Sequence, residues 1–322
     1  MLVAVAGASG HVGRRLVAFL RAKKVPVIAL VRSKASASSL PAGTPFKVVD
    51  LQTGVGLPAA LRHATHVVNL TGRVDDAPEH ELYLANVLPT RQLLIAAPAS
   101  LRRFVHVSSI AVYGKRPRNP VTERSPRHAD GAYARTKLSG ENLALSCASR
   151  FSVVVVQPAI IYGPGFESGF YPVLRQLQTG RARLIGSGGN RLPFVHVDDV
   201  VSGLYAALTA RVPSGSAFLL SSDDSPTQAQ ALSAAAQELG VPAPARSIPP
   251  TLASLSTRLL SFVRRLQGKP SSITPEMVAQ LSSDRVFDSS RARRQLHWRP
   301  SISFKTGVRQ VVNQYKQPKK SM

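Results

Sequence analysis

Cysteine is all but missing from this 322-residue chain: Cys147 stands alone. No internal disulfide can form, so a disulfide-stapled scaffold is excluded, and Cys147 reads as a small buried hydrophobe. Long apolar runs are missing as well. None approaches the roughly 20 residues that span a bilayer, so a soluble or peripheral protein is expected, in the cytoplasm or alternatively in an organelle matrix or at a membrane periphery. The glycine turn at residue 7 comes too early for a cleavable presequence. Internal repeats and low-complexity tracts are not seen, and no metal site is expected. Acids are scarce: 17 Asp and Glu face 41 Lys and Arg, a formal net charge of +24. Such an excess suits a polyanionic partner. It is spread evenly, however, with 21 cations to 8 acids in residues 1–150 and 20 to 9 in residues 151–322. No specific nucleic-acid module is visible, and an arginine-rich background is the simpler account.

What is present is a globular composition, 44% hydrophobic and 18% charged, in a chain long enough for one large α/β domain with a smaller appended lobe. The organising stretch is Leu2 to Gly13. An apolar run from Leu2 to Ala6 suits a strand buried on both faces. Gly7, Gly10 and Gly13, with Ser9, His11 and Val12 between them, then open a helix whose apolar positions are Val12, Leu16, Phe19 and Leu20. A tight turn, bare backbone and a helix amino end together form a pyrophosphate cradle.

A second strand, Val25 to Val31, ends at Arg32, nineteen residues past the last glycine. An acid there would bind the ribose 2′-hydroxyl of NAD, whereas an arginine complements the 2′-phosphate of NADP. Arg32 therefore favours NADP(H), with NAD(H) as the alternative if the arginine is merely solvated. Phe46 to Asp50 reads as a third strand. Asp50, beside Leu51, either faces the adenine or caps the following turn. A fourth strand, Thr65 to Thr71, leads through Leu70 and Thr71 to Gly72, where backbone can pass the cofactor. Periodicity predicts a helix over Glu81 to Ala97, with the polar Asn86 among its leucines. Strands at Arg103 to Ser109, Phe151 to Gln157 and Ser216 to Ser221 follow, and Pro158 stops the second of these. Lys115 to Asp130 is a long polar loop suited to an active-site wall.

Two further features carry function. Tyr133 and Lys137 fall at i and i+4 on one face of the helix after Gly131. Between Glu238 and Glu276 there is no acid, while five cations surround leucines at helical spacing. The basic amphipathic helix 252–266 is expected to pack its apolar face on the substrate lobe as a lid, or alternatively to dock on an anionic membrane or a complex.

Gly7, Gly10, Gly13, Ser109, Tyr133 and Lys137 together resemble an extended short-chain dehydrogenase/reductase. The stretches Asn86 to Thr90, Ser108 to Gly114, Gln157 to Gly165, Phe194 to Val200, Asp288 to Ala292 and Trp298 to Pro300 extend the resemblance over nearly the whole chain. It implies a doubly wound parallel Rossmann sheet, with a dinucleotide-binding domain over 1–157, a substrate lobe over 158–322, and residues 190–221 returning to the sheet. It implies Tyr133 as acid or base, Lys137 on the nicotinamide ribose, Ser109 on the reacting oxygen, and Asn86 holding the helix and a water. Its cofactor residues would be Gly7, Ser9, Gly10, His11, Val12, Gly13, Arg32, Asp50, Leu51, Leu70, Thr71, Gly72, Lys137 and Pro158. Expected partners are a small-molecule substrate and a second copy of the chain in a homodimer.

The chain also departs from its nucleotide-sugar relatives. Ile110 and Ala111 follow the serine where dehydratases place an acid, Arg191-Leu192-Pro193-Phe194 replaces Arg-Asp-Phe, and Gln157 replaces an arginine. The expectation is an NADP-dependent oxidoreductase of a carbonyl or alcohol. A nucleotide-sugar epimerase and a non-catalytic NADPH-binding subunit are the alternatives.

Overall fold

A computed structural model describes residues 1–75, 77–257 and 275–317. Seven parallel strands form the central sheet in the order β3 (Phe46–Val48), β2 (Val27–Val31), β1 (Val3–Ala6), β4 (His66–Asn69), β5 (Arg103–Val107), β6 (Ser152–Pro158) and β10 (Ser216–Leu220). The chain runs one way from β1 and the other way from β4, so a crevice opens between their carboxyl ends, where such sheets bind ligands.

Alternation along β1 dictates the two layers. Val3 and Val5 pack with Leu16, Val17 and Leu20 of α1 (His11–Ala22) and with Val200 and Leu204 of a later helix, Val197–Thr209. Ala4 and Ala6 face the opposite layer, against Leu57 and Leu61 of the short helix Leu57–Leu61, Leu93 and Leu94 of Leu88–Ile95, and Ala144 of Ala132–Leu145. Every residue of β1 is buried, as a parallel strand covered on both faces must be.

The smaller lobe has its own core, in which Tyr162, Leu174, Leu177, Phe194, Ala235 and Leu239 pack against Phe304, Val308 and Val311 of the carboxyl-terminal helix Phe304–Lys316. That helix can approach because residue 307 is glycine. A Cβ there would lie 2.5 Å from the Tyr162 ring. Of the stretch 190–221, β10 pairs with β6, whereas β9 (Phe194–His196) pairs with β7 (Ile160–Tyr162) in a separate two-stranded sheet.

Several local expectations are corrected. The helix predicted over Glu81 to Ala97 is two helices, Glu79–Asn86 and Leu88–Ile95, broken at Val87. Pro89 has no N–H to donate and its ring crowds the carbonyl one turn earlier. The fourth strand stops at Asn69 because the Asn69 side chain takes the Thr71 N–H at 3.1 Å and the Thr71 hydroxyl at 2.6 Å. Cys147 is half-buried rather than buried, at the rim of the second layer. Leu252 and Leu255, expected to face the lobe, are 56% and 63% exposed; the buried residues on that turn are Ala253 and Thr257. The remainder of the basic helix 252–266 lies outside the described residues.

Candidate active site

The glycine loop is built by close approach. Gly7 has φ of +78°, and a Cβ on it would stand 2.9 Å from the Leu70 carbonyl carbon; one on Gly13 would stand 2.2 Å from the Gly7 oxygen. Turn, strand and helix therefore meet only without side chains. Gly10 caps α1 with no side-chain acceptor, and the first turn carries no acid. Its amino end is left for an external anion, which is what a dinucleotide pyrophosphate requires. Ser9 and Val12 are half-buried and His11 is exposed beside them. Partial desolvation of the ring against its neighbours, then the Arg14 charge, holds the His11 pKa below its ordinary value, so the ring is neutral at physiological pH.

Arg32 is exposed two residues beyond Leu30, which pairs with Ala6, so it stands at the same end of the sheet as the glycine loop. Asp50 caps a turn: its carboxylate accepts the N–H groups of Gln52 at 2.7 Å and Thr53 at 3.2 Å, and these bonds lower its pKa. Leu51 and Leu70 are half-buried, and Pro158 is buried at the end of β6.

The catalytic candidates converge across the carboxyl ends of β4 and β5. Lys137 is 4% exposed and its ammonium donates to the Val107 carbonyl at 2.7 Å. Burial lowers its pKa to about 8. A Cβ on Gly72 would lie 3.6 Å from that nitrogen and 3.3 Å from Asn86 Oδ1, so bare backbone at Gly72 runs alongside the lysine. Asn86 accepts the Arg73 N–H at 2.7 Å and donates to the Thr136 hydroxyl at 2.9 Å. It thereby ties the loop after β4 to the helix carrying Tyr133 and Lys137. Ser109 caps a single 3₁₀ turn, Ile110–Tyr113, by accepting the Ala111 N–H at 3.1 Å. Burial raises the Tyr133 pKa, and hydrogen bonding with Ser109 opposes the rise.

One buried network was not anticipated. Gln157, fully buried on β6, donates to both Glu141 oxygens at 3.0 and 2.9 Å and accepts the Tyr113 hydroxyl at 2.8 Å. Arg127 from the polar loop completes it, 3.2 Å from Glu141 and 4.4 Å from the Tyr113 ring centroid. The sequence signal was available: Glu141 lies one turn beyond Lys137, on the same helix face. The network commits Gln157 to the interior, and Arg191 is likewise engaged with Asp284 at 2.9 and 3.1 Å.

The NAD dependent epimerase/dehydratase family matches residues 3–220. A 4-hydroxy-2-methyl-3-oxo-4-farnesyl-3,4-dihydroquinoline-1-oxide ketoreductase of Stigmatella aurantiaca is 30% identical over 94% of this chain and 93% of its own. A 3-diazoavenalumate denitrifying reductase of a Streptomyces species is 31% identical over 94% and 96%. The crystal structure of UDP-glucuronic acid 4-epimerase from Bacillus cereus in complex with NAD shares the fold, with a TM-score of 0.79 at 20% identity over 98% of this chain and 100% of that one. A phosphate-ready glycine turn, a seven-stranded parallel sheet and these relatives agree: the chain is an enzyme of the NAD-dependent oxidoreductase and epimerase kind and belongs to the NAD dependent epimerase/dehydratase family.

Proposed function

We propose that the chain transfers a hydride between NADP(H) and a carbonyl or alcohol substrate, using Ser109, Tyr133 and Lys137. The observation that carries this reading is a buried lysine, held on the Val107 carbonyl beside bare backbone at Gly72 and one helical turn from Tyr133. The nicotinamide, when bound, supplies or accepts the hydride. Tyr133 gives a proton to the substrate oxygen or takes one from it. Because burial raises its pKa, the phenol holds its proton at neutral pH, which suits reduction. Ser109 orients the substrate oxygen. Lys137 spends one donor on Val107 and keeps two for the ribose hydroxyls. Asn86 holds the two walls of the site together.

Arg32, exposed just beyond the carboxyl end of β2 with no acid beside it in sequence, supports NADP(H) over NAD(H). The engagement of Gln157 and Arg191 within the protein supports a substrate other than a nucleotide sugar. The test is oxidation of NADPH by a panel of ketones and quinones. Wild-type enzyme consumes the reduced cofactor, and Tyr133→Phe binds it but does not. A Tyr133→Phe variant with wild-type turnover would remove Tyr133 from the mechanism.

A further inference from the structure

Arg285 is remote in sequence from the site, yet it is fully buried, the largest such side chain among the described residues. Its segment is fastened to the polar loop: the Val286 N–H donates to Asn119 Oδ1 at 2.9 Å, and Val121 and Phe287 form a parallel bridge. Its Nη2 donates to the Gly114 carbonyl at 3.2 Å and approaches the Ile110 carbonyl at 3.5 Å. These carbonyls flank the turn Ile110–Tyr113 whose cap is Ser109. The guanidinium also lies 5.2 Å from the Phe287 ring centroid. Asp130 is the carboxylate that acts on it, and Asp130 accepts the Lys115 N–H at 3.3 Å.

Burying a guanidinium is expensive. Desolvation pulls the Arg285 pKa down to about 10, so it is still charged at neutral pH. An apolar side chain of similar volume would fill the same space without that penalty. What the guanidinium adds is one donor nitrogen, Nη2, placed between the carbonyls at both ends of one short turn, while Nε and Nη1 are buried without a partner among the described residues. A 3₁₀ segment of four residues holds itself weakly; Gln157 and Arg127 hold this one at Tyr113, and Arg285 meets it at the Ile110 carbonyl, next to Ser109.

We infer that Arg285 is a positioning residue, which fixes the turn that aims the Ser109 hydroxyl at the Tyr133 phenol. The inference rests on the reading of Ser109 and Tyr133 as partners, and it joins the carboxyl-terminal segment to chemistry performed more than a hundred residues earlier.

The test needs no substrate. In full-length protein saturated with NADP⁺, tyrosine labelled with ¹³C at Cζ is titrated by NMR, the Tyr133 resonance being the one absent from Tyr133→Phe. Ser109→Ala is expected to raise the Tyr133 pKa by about one unit, the order of one lost hydrogen bond. Arg285→Met should raise it at least half as far, Arg285→Lys less, and Arg285→Met should add nothing in a Ser109→Ala background. Lys137, the neighbouring cation on the same helix, is common to all variants. If Ser109→Ala shifts the titration and Arg285→Met does not, or if the two shifts add in full, the positioning role is refuted and the Ser109–Tyr133 pairing survives. If Ser109→Ala has no effect, the pairing itself falls and takes the role of Arg285 with it. Should Arg285→Met fail to fold, Arg285→Lys decides: one ammonium reaches one carbonyl, so a small upward shift is expected, and none contradicts the inference.

Discussion

Replacing Lys137 by methionine should have opposite effects on stability on the two sides of pH 9. The buried ammonium has its pKa lowered to about 8 from the ordinary 10.5. At neutral pH the charged form therefore costs the fold about 3 kcal/mol relative to water, at 1.36 kcal/mol per unit. Removing it also strands the Val107 carbonyl, bonded at 2.7 Å, at a cost of about 1–3 kcal/mol. The two effects nearly cancel at pH 7, so Lys137→Met should be as stable as wild type there or slightly more so. Between about pH 8 and pH 10.5 the unfolded chain holds a proton that the folded lysine has released, so wild-type stability rises with pH. The gain is absent from Lys137→Met. By pH 10.5 the variant should be the less stable by about 1–3 kcal/mol. Urea denaturation of the cofactor-free protein at half-unit steps from pH 7 to pH 10.5 measures the difference, and groups common to both proteins cancel. Parallel curves for the two proteins would show that Lys137 is solvated and would refute its placement.

Tyr133→Phe should lower kcat by about 10²–10⁴-fold, the usual value of a positioned acid, while the dissociation constant for NADPH, measured by fluorescence, stays within about twofold. Arg32→Asp should reverse the cofactor preference, with NADPH affinity falling about tenfold or more for loss of a charge-assisted contact; calorimetric titration showing equal NAD and NADP affinities in the parent protein would end that assignment. Glu141→Ala leaves the buried Gln157 amide without its acceptor and takes the carboxylate from Arg127, which keeps only the Glu123 and Ser125 carbonyls, so chemical denaturation should show a loss of about 2–5 kcal/mol, whereas Arg191→Ala, which opens a half-exposed ion pair, should cost under about 1 kcal/mol.

The parts of the fold that were legible in the sequence are those written within one element and its turn. The buried run of β1, the three glycines and the helix that follows are contiguous, and hydrophobic period together with glycine spacing defines them. Tyr133 and Lys137 were legible because a helix repeats at four residues. The break at Val87 was not, because a period is insensitive to one proline at position 89 whose effect lies in a missing N–H. Long-range polar closure was the least visible. Asp199 lies in a recognisable stretch, but its role is to accept the Ser301 and Ile302 N–H groups about a hundred residues away, at 2.8 and 3.2 Å. Gln157 looked only like a lost arginine until Glu141 and Tyr113 were brought to it by the docking of a helix on β6. Arg285 carries no local motif at all, and its burial follows from how the polar loop and the carboxyl-terminal segment bridge.

The central claim is that hydride leaves NADPH for an external carbonyl. It is tested most directly by incubating wild-type enzyme with NADPH deuterated on the transferable C4 position, using ketone and quinone substrates in one series and UDP-glucose in another, with products analysed by mass spectrometry and NMR. The account predicts net loss of reduced nicotinamide, with one deuterium on the carbinol carbon of the alcohol formed from a ketone, no inversion of the sugar, and neither reaction in Tyr133→Phe. Inversion at C4 of the sugar by the NAD-loaded protein, with no net oxidation of NADPH by any carbonyl, would contradict it.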